Sequence, residues 1–517
     1  MCLFSRVVIA APAAPTLALT TSGLAVRAAW SQVVGATGYT LHFAPSPYTG
    51  PDSISSVDLG SGRELTVSLW EGAAFYVAIT AYDGSGSSPY SNIGHFNLLT
   101  GGVDFSLLTS ATNTVALPTA SANMLKTNSA GQPAMLVYRT QNDGSQALEY
   151  WERNTAGAWA AEEIPGAGMS TSSSYWGYLT GEWAGLFFNS RGEPVVLNSL
   201  GAVFVKQSGQ WRELNTSGSP RLGEQGTAAM GPNDTLHVLS LPSGSSGAIT
   251  YSTLNLAETT WTSATIPVVA DEGYFQMSSA PRFFSMAVGQ DGTVHAVYTP
   301  DFYFVPVTGG MEVRSELWYL SNRNGGWETG KISGPASGSY GDAGLGASIA
   351  LAPSGRPAVA SVFIDRAATG SAAHATLMFH EQDGSGAWQS ASIASASDGY
   401  LAGDGEMGTG FAPQLLFDAA GNPHIAFTDY ASQHFVGSGQ DDFGGNLRHA
   451  WKDGGVWRFN TVFRQTDPLR NQIYWPNMTF LGAGQVAFAG QLMADTLGAD
   501  FSIQARTSAF LFVEETR

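Results

Sequence analysis

The sequence predicts an all-β chain, with a small N-terminal sandwich of antiparallel strands followed by a β-propeller of roughly seven four-stranded blades. Three observations carry that expectation. Short alternating apolar runs are separated by turn residues throughout, and the chain holds 62 glycines and 24 prolines. Beyond about residue 100 one strand–turn–strand pattern recurs seven times. Six of the seven copies carry a tryptophan at the same hairpin position.

Length and charge bound the rest. A chain of 517 residues exceeds what one hydrophobic core usually supports, so more than one domain is expected. Only 12% of residues are charged, and 41 acidic against 23 basic side chains give a net charge of -18. No run of Lys or Arg offers a phosphate backbone a footing, which excludes nucleic acid as a partner. The one cysteine, Cys2, rules out a disulfide framework and multi-cysteine zinc sites. No apolar run reaches the ~18 residues of a spanning helix. Residues 1–14 read as a tail or the remnant of an export signal, with Cys2 either a lipid anchor if processed or an incidental residue. An extracellular or cell-surface location is expected from the architecture.

Residues 15–99 hold the sandwich. Ala25-Val-Arg-Ala-Ala-Trp30 alternates, placing Val26, Ala28 and Trp30 on one face. The turn Gly35-Ala-Thr-Gly38 leads to Tyr39-Thr-Leu-His-Phe43, and Leu65–Leu69 and Ala74–Tyr82 are further strand-length runs. Trp30, Gly38-Tyr39, Tyr76-Val-Ala-Ile-Thr-Ala81, Gly84-Ser-Gly86 and Ser88-Pro-Tyr-Ser91 together resemble a fibronectin type III module over about 85 residues. The resemblance implies that Trp30 fills the core and that the Tyr76 hydroxyl ties back to the backbone. It leaves open whether the module is a spacer or presents a binding face. His42, among apolar neighbours on a strand, reads as packing.

Residues 100–517 hold the repeat: a strand, a Gly turn, a strand led by Pro or His, a variable loop, a strand, a hairpin and a Trp-bearing strand. The turns fall at Gly131, Gly192, Asp234, Gly292, Gly355, Gly421 and Gly484, in steps of 61, 42, 58, 63, 66 and 63 residues. Trp159, Trp211, Trp261, Trp327, Trp388 and Trp457 close six units, and their constant position reads as blade-to-blade packing. A four-stranded unit cannot bury both faces alone, so a ring that buries every unit is favoured over an open solenoid. Six or eight blades stay open, because either Val103–Leu117 or Ala509–Glu514 can supply the closing strand. Gly421-Asn-Pro-His-Ile-Ala-Phe, Leu447-Arg-His-Ala-Trp and Gly455-Val-Trp457 resemble the sialidase-like propeller repeats of bacterial exported proteins. The chain departs from the sialidase Asp-box, since Asp291 and Gly292 are adjacent, so the resemblance implies the architecture without that chemistry.

In a propeller the strand 2–3 loops and the connectors between blades gather at one end of the channel. Here those segments are long: 300–316, 364–376, 429–446, and the connectors 271–282, 397–411 and 463–475. Together with the 175–183 segment they supply Tyr175, Trp176, Trp183, Asp301, Tyr303, Asp365, Arg366, Asp429, Tyr430, His434, Tyr474 and Trp475. Aromatic rings cover the apolar face of a sugar while carboxylate, guanidinium and imidazole groups bind its hydroxyls. Packing of the propeller rim is the alternative reading of the same residues. For an enzyme, Tyr430, His434, Asp429 and Asp365 are the catalytic candidates, as paired carboxylates or as a Tyr/His pair abstracting a proton. His237, His295 and His424 occupy matching positions on second strands, which points to a structural role repeated with the fold.

No cofactor and no metal site is expected from motif spacing. Asp398, Asp404 and Glu406, or Asp441 and Asp442, offer oxygen ligands to calcium but read first as solvated loop carboxylates. Three functions follow. The first is an exported or cell-surface carbohydrate-binding or adhesive propeller whose partner is a carbohydrate or another surface protein. The second is a glycoside hydrolase or polysaccharide lyase using the same end, and the third is a structural subunit of an extracellular assembly.

Overall fold

The computed structural model describes residues 11–22, 25–45, 54–69, 73–98, 103–107, 124–140, 146–167, 184–198, 200–219, 226–240, 248–267, 282–299, 302–307, 310–335, 340–366, 374–397, 413–434, 441–463, 472–482, 485–497 and 503–515. Cys2, Tyr175, Trp176, Trp183 and Asp301, with the calcium candidates Asp398, Asp404 and Glu406, lie outside them. The chain is almost all β, and no helix among the described residues is long and apolar enough to cross a membrane. It divides into two compact units, Met1–Gly102 with Arg458–Asn460, and Val103–Trp457 with Thr461–Arg517.

The N-terminal unit is a two-sheet sandwich. Leu17–Ser22, Ala25–Trp30 and Glu64–Ser68 form one sheet. Ser55–Asp58, Gly38–Pro45, Ala74–Asp83, Gly86–Ser87 and Gly94–Asn97 form the other. The alternation read from the sequence sets the core: Val26, Ala28 and Trp30 pack with Tyr39, Leu41, Val77, Ile79, Ala81 and Phe96. The Tyr39 hydroxyl accepts a hydrogen bond from the Val33 backbone N–H (2.9 Å), a back-tie of the kind the resemblance assigned to Tyr76. His42 is fixed by Ser56 and Thr80, at 2.8 and 2.9 Å.

The second unit is a propeller of seven blades, each built on four antiparallel strands. Blade 1 comprises Leu125–Thr127, Pro133–Thr140, Gln146–Arg153 and Trp159–Glu163. Blade 2 comprises Ala184–Phe188, Pro194–Asn198, Val203–Gln207 and Gln210–Glu213, and blade 3 Gly226–Gly231, Thr235–Ser240, Ala248–Asn255 and Thr262–Pro267. Blade 4 comprises Arg282–Val288, Val294–Thr299, Leu317–Ser321 and Glu328–Ser333, and blade 5 Tyr340–Leu351, Pro357–Arg366, His374–Gln382 and Trp388–Ser397. Blade 6 comprises Gln414–Phe417, Pro423–His434, Asp441–Asp453 and Val456–Phe463. Blade 7 takes three strands from the C-terminus, Gln472–Phe480, Val486–Leu497 and Ile503–Glu515, and its outer strand, Val103–Leu107, from the start of the unit. Both segments considered for closure are thus used, in one sheet.

Local chemistry sets the turns. Asn128 Oδ1 accepts from the N–H groups of Ala130 and Gln132 (both 2.9 Å), and Gly131 supplies the left-handed residue at φ +75°. Asn189 and Gly192 repeat this at the next blade. An Asx residue three before a glycine therefore folds each of these hairpins without tertiary help.

Two kinds of contact recur between blades. Aromatic pairs join the third strand of one blade to the tryptophan of the next: Phe512–Trp159, Tyr150–Trp211, Tyr251–Trp327, Tyr319–Trp388 and Phe379–Trp457, with ring centroids 4.8–5.5 Å apart. Trp261 packs against Val203 and Val205 of blade 2. Each edge-to-face pair adds roughly 0.5–1.5 kcal/mol to the area it buries. An inner belt of side chains accepts backbone N–H groups across blades: Ser285 from Ile349, Ser348 from Leu415, Gln414 from Met478 and Asn477 from Met124. All four acceptors sit seven residues before the turn glycine of their own blade. The belt passes from blade 7 to blade 1, and Arg153 pairs with Glu514 across the same seam. The ring is closed.

Candidate functional site

Because every blade makes its tight turn between strands 1 and 2, the connection between strands 2 and 3 emerges at the opposite end. From blade 4 round to blade 1 the inner strands are bonded at equivalent positions, so the connections of these blades leave at one common end of the channel. Their lengths divide the ring. In blade 2 the connection is the Asx-Gly turn Asn198–Ala202, where Asn198 accepts from Leu200 and Ala202. In blades 5, 6 and 7 strands 2 and 3 run on well beyond those of blades 2 and 3. A separate hairpin, Phe302–Val307 with Gly310–Ser315, rises from blade 4. Its Arg314 pairs in parallel with Gly341, so the hairpin joins the blade 5 sheet and makes it six-stranded.

This corrects the sequence reading of 300–316 and 429–446 as loops. Tyr303 is paired with Arg314 in the hairpin. Asp365 stands between Gly341 and His374, and Arg366 opposite Tyr340. Asp429, Tyr430 and His434 are opposite Asn446, Gly445 and Asp441. Tyr474 is opposite Gln491, and Trp475 falls in the irregularity between Tyr474 and Asn477. These eight candidates lie on strands. Pairing satisfies the backbone of a rising hairpin by itself, so a strand continues where the apolar alternation stops. Tyr175, Trp176, Trp183 and Asp301 belong to segments outside the described residues.

Toward the other end, the second-strand histidines behave as the repeat predicted. His237 Nδ1 is 2.7 Å from the Tyr251 hydroxyl and His295 Nδ1 is 2.6 Å from that of Tyr319. Each tyrosine in turn meets the tryptophan of the next blade, so His, Tyr and Trp form one inter-blade unit, used twice. Burial holds both imidazoles down to about 4, with Asp291 opposing the shift at His295. They are neutral structural groups, too weakly basic for proton abstraction near neutrality.

Sequence reasoning missed two arrangements. His380 is fully buried between Ser361 and Ser390 (2.9 and 2.7 Å), and burial lowers its pKa to about 4. His424 Nδ1 is 3.0 Å from His449 Nε2, and His449 Nδ1 is 2.6 Å from Glu515 Oε2, a buried relay from blade 6 to blade 7. Asp418 Oδ2 lies 3.6 Å from His424 Nε2 at its outer end. The only signal for it was a histidine and a glutamate in otherwise apolar strands. Among the described residues no group of three or more His, Cys, Asp or Glu side chains is placed to hold a metal ion.

No protein-family model and no curated protein matches the sequence. Among solved structures, the chain is similar to a protein of unknown function from Dyadobacter fermentans DSM 18053, at 12% identity over 80% of this chain and 100% of that one, TM-score 0.40. It is similar to an ulvan lyase, described as a new family of polysaccharide lyase, at 12% identity over 78% of this chain and 94% of that one, TM-score 0.47. It is also similar to an exo-1,5-α-L-arabinanase from a bovine ruminal metagenomic library, at 10% identity over 56% of this chain and 91% of that one, TM-score 0.30.

Proposed function

We propose that this protein is an exported carbohydrate-recognition propeller, with its ligand held at the loop end of the channel and the N-terminal sandwich acting as a spacer. The observation that supports the reading is the one-sided elevation of that end. The hairpins of blades 4 to 7 rise as consecutive walls, and those walls carry Tyr303, Asp365, Arg366, Asp429, Tyr430, His434, Tyr474 and Trp475. Walls beside a low rim make a cleft open on one side, suited to a chain-like ligand. Aromatic, acidic and guanidinium groups on them match the faces and hydroxyls of sugars. Binding to a glycan array, weakened at least tenfold by Tyr430→Ala or Tyr474→Ala, is the expected result. An array on which the protein retains nothing sinks the proposal.

One further observation favours a catalytic version, a glycoside hydrolase or polysaccharide lyase. The strand register sets Asp365 opposite His374 in blade 5 and His434 opposite Asp441 in blade 6, so an aspartate and a histidine share a register position on each of two adjacent walls. Such pairings are the raw material of acid–base catalysis. New reducing ends, or products absorbing as unsaturated sugars, released from a polysaccharide panel and lost in His434→Ala, identify this version. Binding without product leaves the first.

A further inference from the structure

We propose that the inner edge of blade 1 is an oxyanion site, in which Lys126 binds a sulfate, phosphate or carboxylate group at the turn end of the channel. The chain has four lysines, Lys126, Lys206, Lys331 and Lys452. Lys206 is paired with Glu162 and Lys331 with Glu316. Lys126 has neither a hydrogen bond nor an ion pair among the described residues. It lies in Leu125–Thr127, the innermost strand of its blade, five residues before the turn glycine.

The surroundings make that isolation unusual. The strands packed against Leu125–Thr127 are Pro133–Thr140, Ala184–Phe188 and Gln472–Phe480. They contain no carboxylate, and their one charged residue, Arg139, is at the loop end of its strand. Along the inner strands of all seven blades the other charges are Arg282 and Asp342, both also near the loop end. Lys126 is opposite Ala134, which is opposite Glu152, so among the described residues of that sheet the nearest carboxylate is two strands out. At about 4.8 Å per strand the separation is roughly 10 Å. Glu152 is already engaged by the Asn128 amide at 2.6 Å.

Lys126 keeps part of its surface open to solvent, yet burial lowers its pKa to about 8. Its strand is the innermost of blade 1, which puts Lys126 beside the channel. At neutral pH it is still protonated, and an ammonium stripped of much of its hydration calls for a counter-charge. The Thr127 hydroxyl beside it is bonded to Thr479 and to the Phe480 carbonyl, so among the described residues no neighbouring side chain supplies one. A small oxyanion entering the channel does.

Four lysines make the test simple to read. The protein is acylated with trace acetic anhydride at pH 8 in chloride, sulfate, phosphate or acetate at equal ionic strength, and each lysine is followed by peptide mass spectrometry. At least one oxyanion is expected to slow Lys126 several-fold while Lys206, Lys331 and Lys452 keep their chloride rates. The acetate arm separates carboxylate from tetrahedral anions. Thermal stabilisation by the same anion is expected to persist in Lys126→Arg and vanish in Lys126→Gln. Equal rates in all four salts, or equal stabilisation of Lys126→Gln and the parent, overturn the proposal.

Discussion

Replacing His449 by alanine is expected to cost the propeller about 3–5 kcal/mol, the loss typical of deleting a fully buried ring together with its hydrogen bonds. His449 is 0% and Glu515 2% exposed, and they meet at 2.6 Å between blade 6 and blade 7. Deleting the imidazole removes a 2.6 Å hydrogen-bond partner of the buried Glu515 carboxylate. It also removes the partner of His424 and the ring that lies against Trp451 and, edge-on, against Phe488. The position matters because Glu514 and Glu515 clasp opposite neighbours, Arg153 of blade 1 and His449 of blade 6. Chemical denaturation of His449→Ala, Glu515→Ala and the double variant measures this. The two single losses are expected to exceed the double loss by more than 1 kcal/mol, since groups in contact couple. Additive losses mean that the contact is energetically idle.

The second large effect is acid lability above the carboxylate range. His237, His295 and His380 each have a folded-state pKa of about 4, below the ordinary 6.5, because burial disfavours the charged ring. The unfolded chain therefore binds protons that the folded chain refuses. Stability from these residues is complete above pH ~6.5 and is lost as the pH falls toward 4. By pH 4 each loses roughly 3 kcal/mol. Urea midpoints taken from pH 7 to pH 4.5 are expected to fall steeply. His295→Gln, which keeps a hydrogen-bonding group beside Tyr319, is expected to flatten the slope. A midpoint independent of pH over that range contradicts the assignment of these histidines as buried neutral groups.

The repeat was readable because its determinants are local. Gly131, Gly192, Gly292, Gly355 and Gly421 adopt φ of 75–87°, a conformation that leaves a clear mark on the sequence. The tryptophans were readable for a different reason: a ring needs the same packing group at each interface, so a structural role repeats and a binding role does not. Closure was half readable. Both Val103–Leu107 and the C-terminal strand looked like spare strands, but that they pair with each other, with Leu511 opposite Leu107, depends on contacts some 400 residues apart.

The site was harder. Where the hairpin 423–453 runs past its neighbours the apolar alternation fades and only backbone pairing marks the strand, so Asp429 and His434 read as loop residues. The inner belt was hidden because a single Ser285, Ser348, Gln414 or Asn477 in an apolar strand has no meaning until the blades are superimposed. The His449–Glu515 relay spans 66 residues and has no local signature at all. Polar contacts between blades are thus the part of this molecule that the sequence least reveals, and they decide where the ring holds.

Ring closure itself is open to a direct measurement. The Thr127 and Thr479 hydroxyls lie 2.9 Å apart, one on blade 1 and one on blade 7, and Cys2 is the one native thiol. In a Cys2→Ser background, Thr127→Cys with Thr479→Cys is expected to oxidise to an intrachain disulfide in the monomer, seen as a faster-migrating band and a single linked peptide. Free thiols after oxidation, or cross-links only between chains, contradict a closed circle of seven blades.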